Sequence, residues 1–119
     1  MQSYKDLLVW QKSISLVTDI YHITEKFPKT EVFGLTSQMR RAAVSIPANI
    51  AEGYTRKHKA EYVQFLRIAF ASGAELETHL IIAANLGFTD MHRIEKTNKL
   101  LEEIMKMLNK LISVLVAKP

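Results

Sequence analysis

Four segments of the chain carry apolar residues at steps of three and four, the spacing that places side chains on one face of an α-helix. Short stretches containing proline, glycine or several charges separate these segments. Helices joined by short connections pack as antiparallel neighbours. The pattern therefore predicts an all-α fold, an antiparallel up-and-down four-helix bundle with a proline-bent second helix, formed by a single domain over residues 1–119.

The first helix is predicted over about residues 6–25, with Asp6 as its N-terminal cap. It carries two apolar rows. The row that we interpret as the bundle seam is Leu7, Trp10, Ile14, Val17 and Tyr21, and the second row is Leu16, Ile20, Ile23 and Phe27. One row is enough to line one core, so the extra apolar width predicts that this helix meets a neighbour outside its own bundle.

The second helix is predicted within residues 34–53, starting at Leu35 or Thr36, and its apolar face consists of Met39, Ala43, Ile46 and Ile50. Pro47 lies within this segment. Its ring lacks a backbone N–H and crowds the carbonyl of Ala43, so we expect a bend there. Packing must offset the cost of about 3 kcal/mol. Gly53 follows the last periodic residue and suits a left-handed C-terminal cap.

A polar row runs beside this apolar face and consists of Gln38, Arg41, Ser45, Asn49 and Glu52. Glu52 lies in the last predicted turn, where a carboxylate meets the negative end of the helix dipole, and no cation precedes it at positions 48 or 49. We therefore predict that the row lies at an interface between copies of the chain, where Arg40 or Arg41 of another copy binds Glu52. The alternative is a solvated glutamate balanced loosely by Arg56 and Lys57.

The third helix is predicted over about residues 59–86, with an apolar rhythm sustained over three heptads. Its seam is Tyr62, Leu66, Ala69, Gly73, Leu76, Leu80 and Ala83. Gly73 costs about 1 kcal/mol relative to alanine in a helix interior, so a close contact must require it. That contact is either a tight crossing within the chain or a second subunit, and we include Gly73 among the predicted interface residues.

The fourth helix is predicted over residues 90–116, with Asp90 as its cap, after Gly87 ends the third helix. Its seam is Ile94, Leu101, Ile104, Leu108, Leu111 and Leu115. Lysines and glutamates are interspersed on the rest of this helix, a pattern typical of a solvated face.

Three pieces of the second helix, Arg-Arg-Ala, Ser-Ile-Pro and Asn-Ile-Ala-Glu-Gly, occur in this order within residues 40–53. Together with DLLVWQKSISLVTDIY and FPKTEVFGLTSQ upstream, they resemble the four-helix-bundle proteins encoded in intervening sequences of bacterial 23S ribosomal RNA. That family is similar to the accessory variability protein of diversity-generating retroelements. The resemblance covers about residues 4–115. It implies a ring-like homopentamer without established catalytic activity, and nucleic-acid binding in some members.

Composition and charge narrow the class of protein further. The net charge of +4, with a pI near 9.4, permits acidic partners such as RNA without requiring them. The chain contains no cysteine, hence no disulfide and no thiolate metal site, which fits the cytoplasmic location that we predict. The segment MQSYKDLLVWQ is charged too early for a secretory signal, and no apolar run approaches the roughly 20 residues of a membrane span.

The densest cationic segment is TRKHK, where Arg56, Lys57 and Lys59 occur with no acid among them. We interpret these three residues, with Arg40 and Arg41, as a phosphate-contact site for nucleic acid. The alternative is an ordinary polar turn before the third helix. Cations at the start of a helix face the positive end of its dipole, and this mild cost favours the functional interpretation.

Motifs for catalysis and metal binding are missing at usable spacings. No glutamate is followed by a histidine three residues later, the pair that metal-bearing bundles use. Glu75 and His79 are four residues apart, which indicates a local hydrogen bond. Ser45 has no histidine base at a recognisable spacing. The sequence therefore predicts no enzyme, no cofactor and no metal.

Two functions remain open at this point. The first is a non-catalytic homo-oligomer that binds RNA or other nucleic acid through a repeated basic patch. The second is an oligomeric scaffold that binds a protein partner, such as a reverse transcriptase, and has no nucleic-acid role of its own. The wide apolar faces of the first and third helices favour an oligomer in both cases.

Overall fold

The computed structural model of the protein describes residues 3–118 and contains four α-helices. They are α1 (Leu8–Thr24), α2 (Leu35–Arg56), α3 (Lys59–Asn85) and α4 (Glu95–Ala117), with short 3-10 turns at Tyr4–Asp6 and Lys29–Glu31. Residues 3–118 form no β-strand, and the molecule measures 48 × 24 × 20 Å. The predicted all-α fold with four helices in a bundle is confirmed.

Each helix packs against two neighbours around the bundle. α2 contacts α1 and α3, and α4 closes the bundle by contacting α3 and α1; the α2–α3 contact is the most extensive. Across it, Ser45 meets Ser72, whereas Gly53, further along α2, lies against Tyr62 and Phe65 in the first part of α3. Moving from Ser45 to Gly53 along α2 corresponds to moving back from Ser72 to Tyr62 along α3. The two helices therefore run in opposite directions.

The predicted apolar faces of α2 and α3 form the centre of the core. The four predicted α2 residues are fully buried, as are most of the α3 seam and three central residues of α4, Leu101, Ile104 and Leu108. In α1 the two rows are exchanged relative to the prediction. Leu16 and Ile20 are fully buried, whereas Ile14 and Tyr21 of the predicted seam are exposed.

Two predicted N-terminal caps are wrong, because each aspartate stabilises a turn that precedes its helix. Asp6 accepts a hydrogen bond from the backbone N–H of Ser3 and completes a capping box around the 3-10 turn Tyr4–Asp6. α1 begins only at Leu8. Asp90 Oδ1 accepts a hydrogen bond from Arg93 N–H at 2.8 Å, and α4 begins later, at Glu95.

α2 is longer than the sequence predicted, and Gly53 is not its cap. The helix continues for one turn to Arg56 and ends at Lys57, which has a left-handed conformation with φ of 61°. Gly53 is buried at the crossing with α3, where an added Cβ would lie 2.7 Å from Phe65 Cβ. The glycine is therefore needed for close approach of the two helices. Pro47 is buried inside a continuous helix, and the bend there stays a prediction.

Gly73 packs within its own chain, against α4. An added Cβ would lie 2.1 Å from Met105 Sδ. Of the two contacts that the sequence left open at this glycine, the structure shows the crossing within the chain, and Gly73 is buried there.

The two buried glycines should respond differently to substitution by alanine. Gly53→Ala forces a Cβ into the Cβ of Phe65, which is fixed to the α3 backbone, so we expect a loss of about 1–3 kcal/mol in unfolding free energy. Gly73→Ala meets the thioether of Met105, which can rotate away, so we expect a smaller loss there. Alanine gains up to about 1 kcal/mol in helix propensity at both positions, so the difference comes from the contacts. Urea denaturation should show a clearly larger loss for Gly53→Ala. Equal losses would contradict the tight α2–α3 crossing.

Tyr62 makes this crossing sensitive to alkaline pH. Burial raises the pKa of Tyr62 above its ordinary value near 10, with a smaller contribution from Tyr54, whose ring lies 5.8 Å away. Because the folded state favours the protonated phenol, its contribution to stability is complete below about pH 10 and is lost as pH rises through the raised pKa. Unfolding free energy should therefore fall more steeply as pH rises above about 10 in the wild type than in Tyr62→Phe. Parallel pH profiles would show that Tyr62 is not shielded.

Candidate interaction surface

The centre of the predicted polar row is used inside the chain. Ser45 Oγ and Ser72 Oγ are 2.8 Å apart, so the two hydroxyls bridge α2 and α3. Asn49 Nδ2 donates to the carbonyl and the hydroxyl of Ser45, at 2.7 and 2.9 Å. Both residues are only partly exposed. Ser45 therefore joins α2 to α3, and Asn49 holds Ser45 from within α2, whether or not the row also contacts another copy.

The expectation that Glu52 lacks a cation in its own helix is wrong. Because α2 extends a turn beyond Gly53, Arg56 lies one turn after Glu52, and its Nη2 is 3.0 Å from Glu52 Oε2. Arg56 is also 4.0 Å from a carboxylate oxygen of Glu61 and stacks over Phe65, with its Cζ 5.2 Å from the ring centroid. Exposed ion pairs of this kind contribute about 0–1 kcal/mol. The missing cation was the reason for predicting that Glu52 contacts another subunit. Arg56 removes that reason, and the contact itself stays a prediction.

The other end of the polar row lines a groove between α2 and α3. Gln38 and Arg41 of α2 and Glu75 of α3 surround a depression of about 370 Å³, with Ser45 and Ser72 at its base. The Arg41 side chain is exposed and makes no hydrogen bond or ion pair with residues 3–118. An unpaired guanidinium opposite a carboxylate gives this groove charges of both signs, which suits a polar contact with another chain.

A larger depression of about 650 Å³ lies between the end of α1 and the start of α2. Arg40 lines it and is held in place: its Nε donates to Thr24 Oγ1 at 2.9 Å, and its Cζ lies 4.3 Å from the Tyr21 ring centroid. Phe27, Val32 and Val44 give the depression an apolar part. Arg41 and Ser45 line both depressions, so the two depressions form one continuous surface across α2. We call this surface the α2 face, and its polar α2 residues include Gln38, Arg40, Arg41 and Ser45.

Apolar side chains remain exposed on α3, on the side away from the core. This α3 outer face consists of Ile68, Ala71, Ala74, Thr78, Ile81, Ile82 and Leu86, and the exposed Arg67 and Glu75 lie among them. The four large residues among them are between 39% and 59% exposed. Single exposed apolar residues are normal, but a row of them along one helix is typical of a surface that another chain covers. The excess apolar width predicted for α3 is therefore present at its surface.

Phe33 is the most exposed large apolar side chain in the described part of the chain, at 96%. It lies in the turn before α2, next to Val32, which lines the larger depression. Sequence analysis missed this residue. The signal was the Val-Phe pair directly before Gly34, in a loop that is otherwise polar.

The five cations predicted to bind nucleic acid lie in two separate places. Arg40 and Arg56 are sixteen residues apart on α2, which is about 24 Å along the helix axis. At the far end, Arg56 is paired with Glu52, and Lys59 donates to the backbone carbonyl of Lys118. Lys57 is exposed there. The predicted residues therefore do not form one continuous site within a subunit.

A model of the 23S rRNA-intervening sequence protein family matches residues 5–110. The chain belongs to this family. Among solved structures, it is similar to a protein of unknown function from the S23 ribosomal protein family of Bacteroides thetaiotaomicron VPI-5482, with a TM-score of 0.79 and 26% sequence identity. The alignment covers 88% of this chain and 98% of that one. No curated protein matches.

For this member of the 23S rRNA-intervening sequence protein family, the geometry gives no sign of a metal site. Residues 3–118 contain no group of three or more histidine, cysteine, aspartate or glutamate side chains placed to hold a metal ion. His79 Nε2 lies 3.8 Å from Glu75 Oε2, a local contact on α3. Within the same range, no helix is long and apolar enough to cross a membrane.

Charges placed on the α3 outer face should break an assembly that uses it. In the double variant Ile68→Glu, Ile82→Glu, two exposed side chains become carboxylates that a subunit interface cannot solvate, so we expect the mass measured by light scattering to fall to that of one subunit. The matched control is Val114→Glu, Val116→Glu, which makes the same change at exposed positions of α4 and should leave the mass unchanged. An unchanged mass in both variants would remove the α3 outer face from the assembly.

Proposed function

We propose that this protein is a non-catalytic homo-oligomer that binds RNA or other nucleic acid through a cationic surface repeated in each subunit. One observation carries the oligomer: the apolar α3 outer face has no partner within residues 3–118. Burying it against a second copy gains about 25 cal/mol for each Å² of apolar surface removed from water. The α2 face supplies a polar contact through the unpaired Arg41 and the groove that contains Glu75. Five subunits are the stoichiometry that the family resemblance implies.

Oligomerisation would raise the affinity of a weak cationic patch for nucleic acid. A single subunit has a net charge of only +4, and some of its cations are engaged in internal contacts. In a closed assembly the same patch occurs once in each subunit. When one patch has bound a nucleic acid, the same molecule is held close to the patches of the other subunits, which raises its effective concentration there. Such binding neutralises phosphates and distinguishes base sequences poorly. It needs no catalytic group, and we place it in the cytoplasm.

RNA binding should depend strongly on salt. A labelled RNA hairpin titrated with the protein at about 50 mM and about 200 mM salt should bind at the lower concentration and lose at least about tenfold in affinity at the higher one, because each phosphate contact releases counterions. Absence of binding at the lower concentration would refute the nucleic-acid part of the proposal, since phosphate contacts are strongest there.

The second candidate is an oligomeric scaffold for a protein partner, such as a reverse transcriptase. The exposed Phe33, beside the partly apolar depression between α1 and α2, favours it, because aromatic anchors are enriched at protein interfaces. Capture experiments from host lysate with and without nuclease separate the two candidates. A protein partner that survives nuclease and is lost in Phe33→Ala favours the scaffold, whereas partners that disappear with nuclease favour nucleic-acid binding.

A further inference from the structure

α4 carries a row of lysines on the side opposite the core. Its exposed face contains Lys96, Lys99, Lys106 and Lys110, and Arg93 lies in the turn just before the helix. We call these five residues the α4 basic stripe. From Lys96 onward the positions 96, 99, 103, 106 and 110 follow at steps of three and four, so they share one face. The buried row of α4, which includes Leu101, Ile104 and Leu108, lies on the other side.

Two of the three glutamates near the stripe, Glu95 and Glu103, form ion pairs with lysines. Glu103 is the one acid at those five positions, and its Oε1 lies 3.1 Å from Lys12 Nζ of α1. Glu95 lies 3.2 Å from Lys99 Nζ. The side chains of Lys96, Lys106 and Lys110 make no ion pair with residues 3–118. Lys12 also adds a sixth cation beside the stripe, so the local charge is clearly positive even though Glu102 flanks it.

The predicted cationic segment between α2 and α3 differs in this respect. Arg56 there is paired with Glu52, lies near Glu61 and stacks on Phe65. Lys59 donates to the carbonyl of Lys118. More of the exposed positive charge that no acid neutralises therefore lies on α4 than at the end of α2.

The shape of the stripe suits an extended polyanion. Lys96 and Lys110 are fourteen residues apart, about 21 Å along the helix axis, which is long enough to lie along several successive phosphates of one strand. A shallow depression of about 600 Å³ lies along it, lined by Lys96, Lys99 and Lys106, by Glu102 and Glu103, and by Leu100 and Met107. Glu103 there is paired with Lys12, so the three lysines outnumber the one glutamate of the lining that makes no ion pair with residues 3–118.

The position of α4 also leaves the stripe open in an assembly. α4 packs against α1 and α3 and makes no contact with α2, so the stripe lies away from the α2 face. Neither the α2 face nor the α3 outer face includes a residue of α4. Subunit contacts confined to these two surfaces would therefore leave the lysines of α4 in solvent, repeated once per subunit.

We propose that the α4 basic stripe is the main surface that contacts the phosphodiester backbone of RNA. The inference rests on the proposed nucleic-acid binding and moves the site from the segment between α2 and α3 to α4. The contacts are electrostatic and follow the backbone; sequence readout is not built into this surface.

The test compares two triple variants that each remove three positive charges. The α4 variant is Lys96→Gln, Lys106→Gln, Lys110→Gln, and the matched control is Lys5→Gln, Lys26→Gln, Lys29→Gln; all six lysines are exposed. Fluorescence anisotropy of a labelled RNA hairpin gives Kd at several salt concentrations, and circular dichroism melting checks that both variants fold. The α4 variant should bind at least about tenfold more weakly at about 50 mM salt, with the slope of log Kd against log salt reduced by about two to three. The control should change Kd by less than about threefold.

Four results are distinguishable. Loss in the α4 variant alone supports the stripe. Equal loss in both variants means that net charge alone drives binding, and loss in the control alone places the site elsewhere; either result overturns the stripe and leaves the proposed function standing. No binding by the wild-type protein at about 50 mM salt overturns both the proposed nucleic-acid binding and the stripe.

Discussion

The close crossing of α2 and α3 determines which surfaces this molecule shows to its surroundings. Gly53 lets the two backbones approach at one end of the crossing, and the Ser45–Ser72 hydroxyl pair fixes their relative position near the middle. The crossing buries Met39, Ala43 and Ile50. Once α2 is fixed in this way, its cationic residues near Arg41 lie at the surface, and nothing within residues 3–118 covers the apolar α3 outer face.

The sequence was sufficient for the fold class and for the cores of α2, α3 and α4. In α2 and α4 one apolar row dominates, and in α3 the seam keeps its rhythm over three heptads despite further apolar residues beside it. It was insufficient for α1, where two rows of similar strength occur and periodicity cannot say which one faces the bundle. The fully buried Leu16 and Ile20 settle that choice. Helix ends were the other difficulty. Gly53 has the signature of a C-terminal cap, yet close packing on Phe65 requires it in the interior of a longer helix.

The candidate surface was less predictable, because its side chains are defined by partners that are distant in sequence. Ser45 bonds to a serine 27 residues away, and Arg40 is held by Thr24 and Tyr21 of another helix. The position of Arg56 opposite Glu52 followed from the extra turn of α2, which sequence signals did not reveal. Charge counting also treated all cations alike, whereas the structure separates those held by acids or carbonyls from those that face solvent unpaired.

Apolar surface and positive charge have separate roles in the proposed function. The α3 outer face gives a reason for copies to associate, and association multiplies a positive charge that is modest in one subunit. Light scattering of the untagged wild-type protein at micromolar concentration, with copurifying nucleic acid quantified by the absorbance ratio, tests this most directly. A mass several times the 13.6 kDa of one chain is expected. A mass of one subunit would contradict it, because an isolated copy would then keep the α3 outer face in water and would have no second copy to multiply its charge.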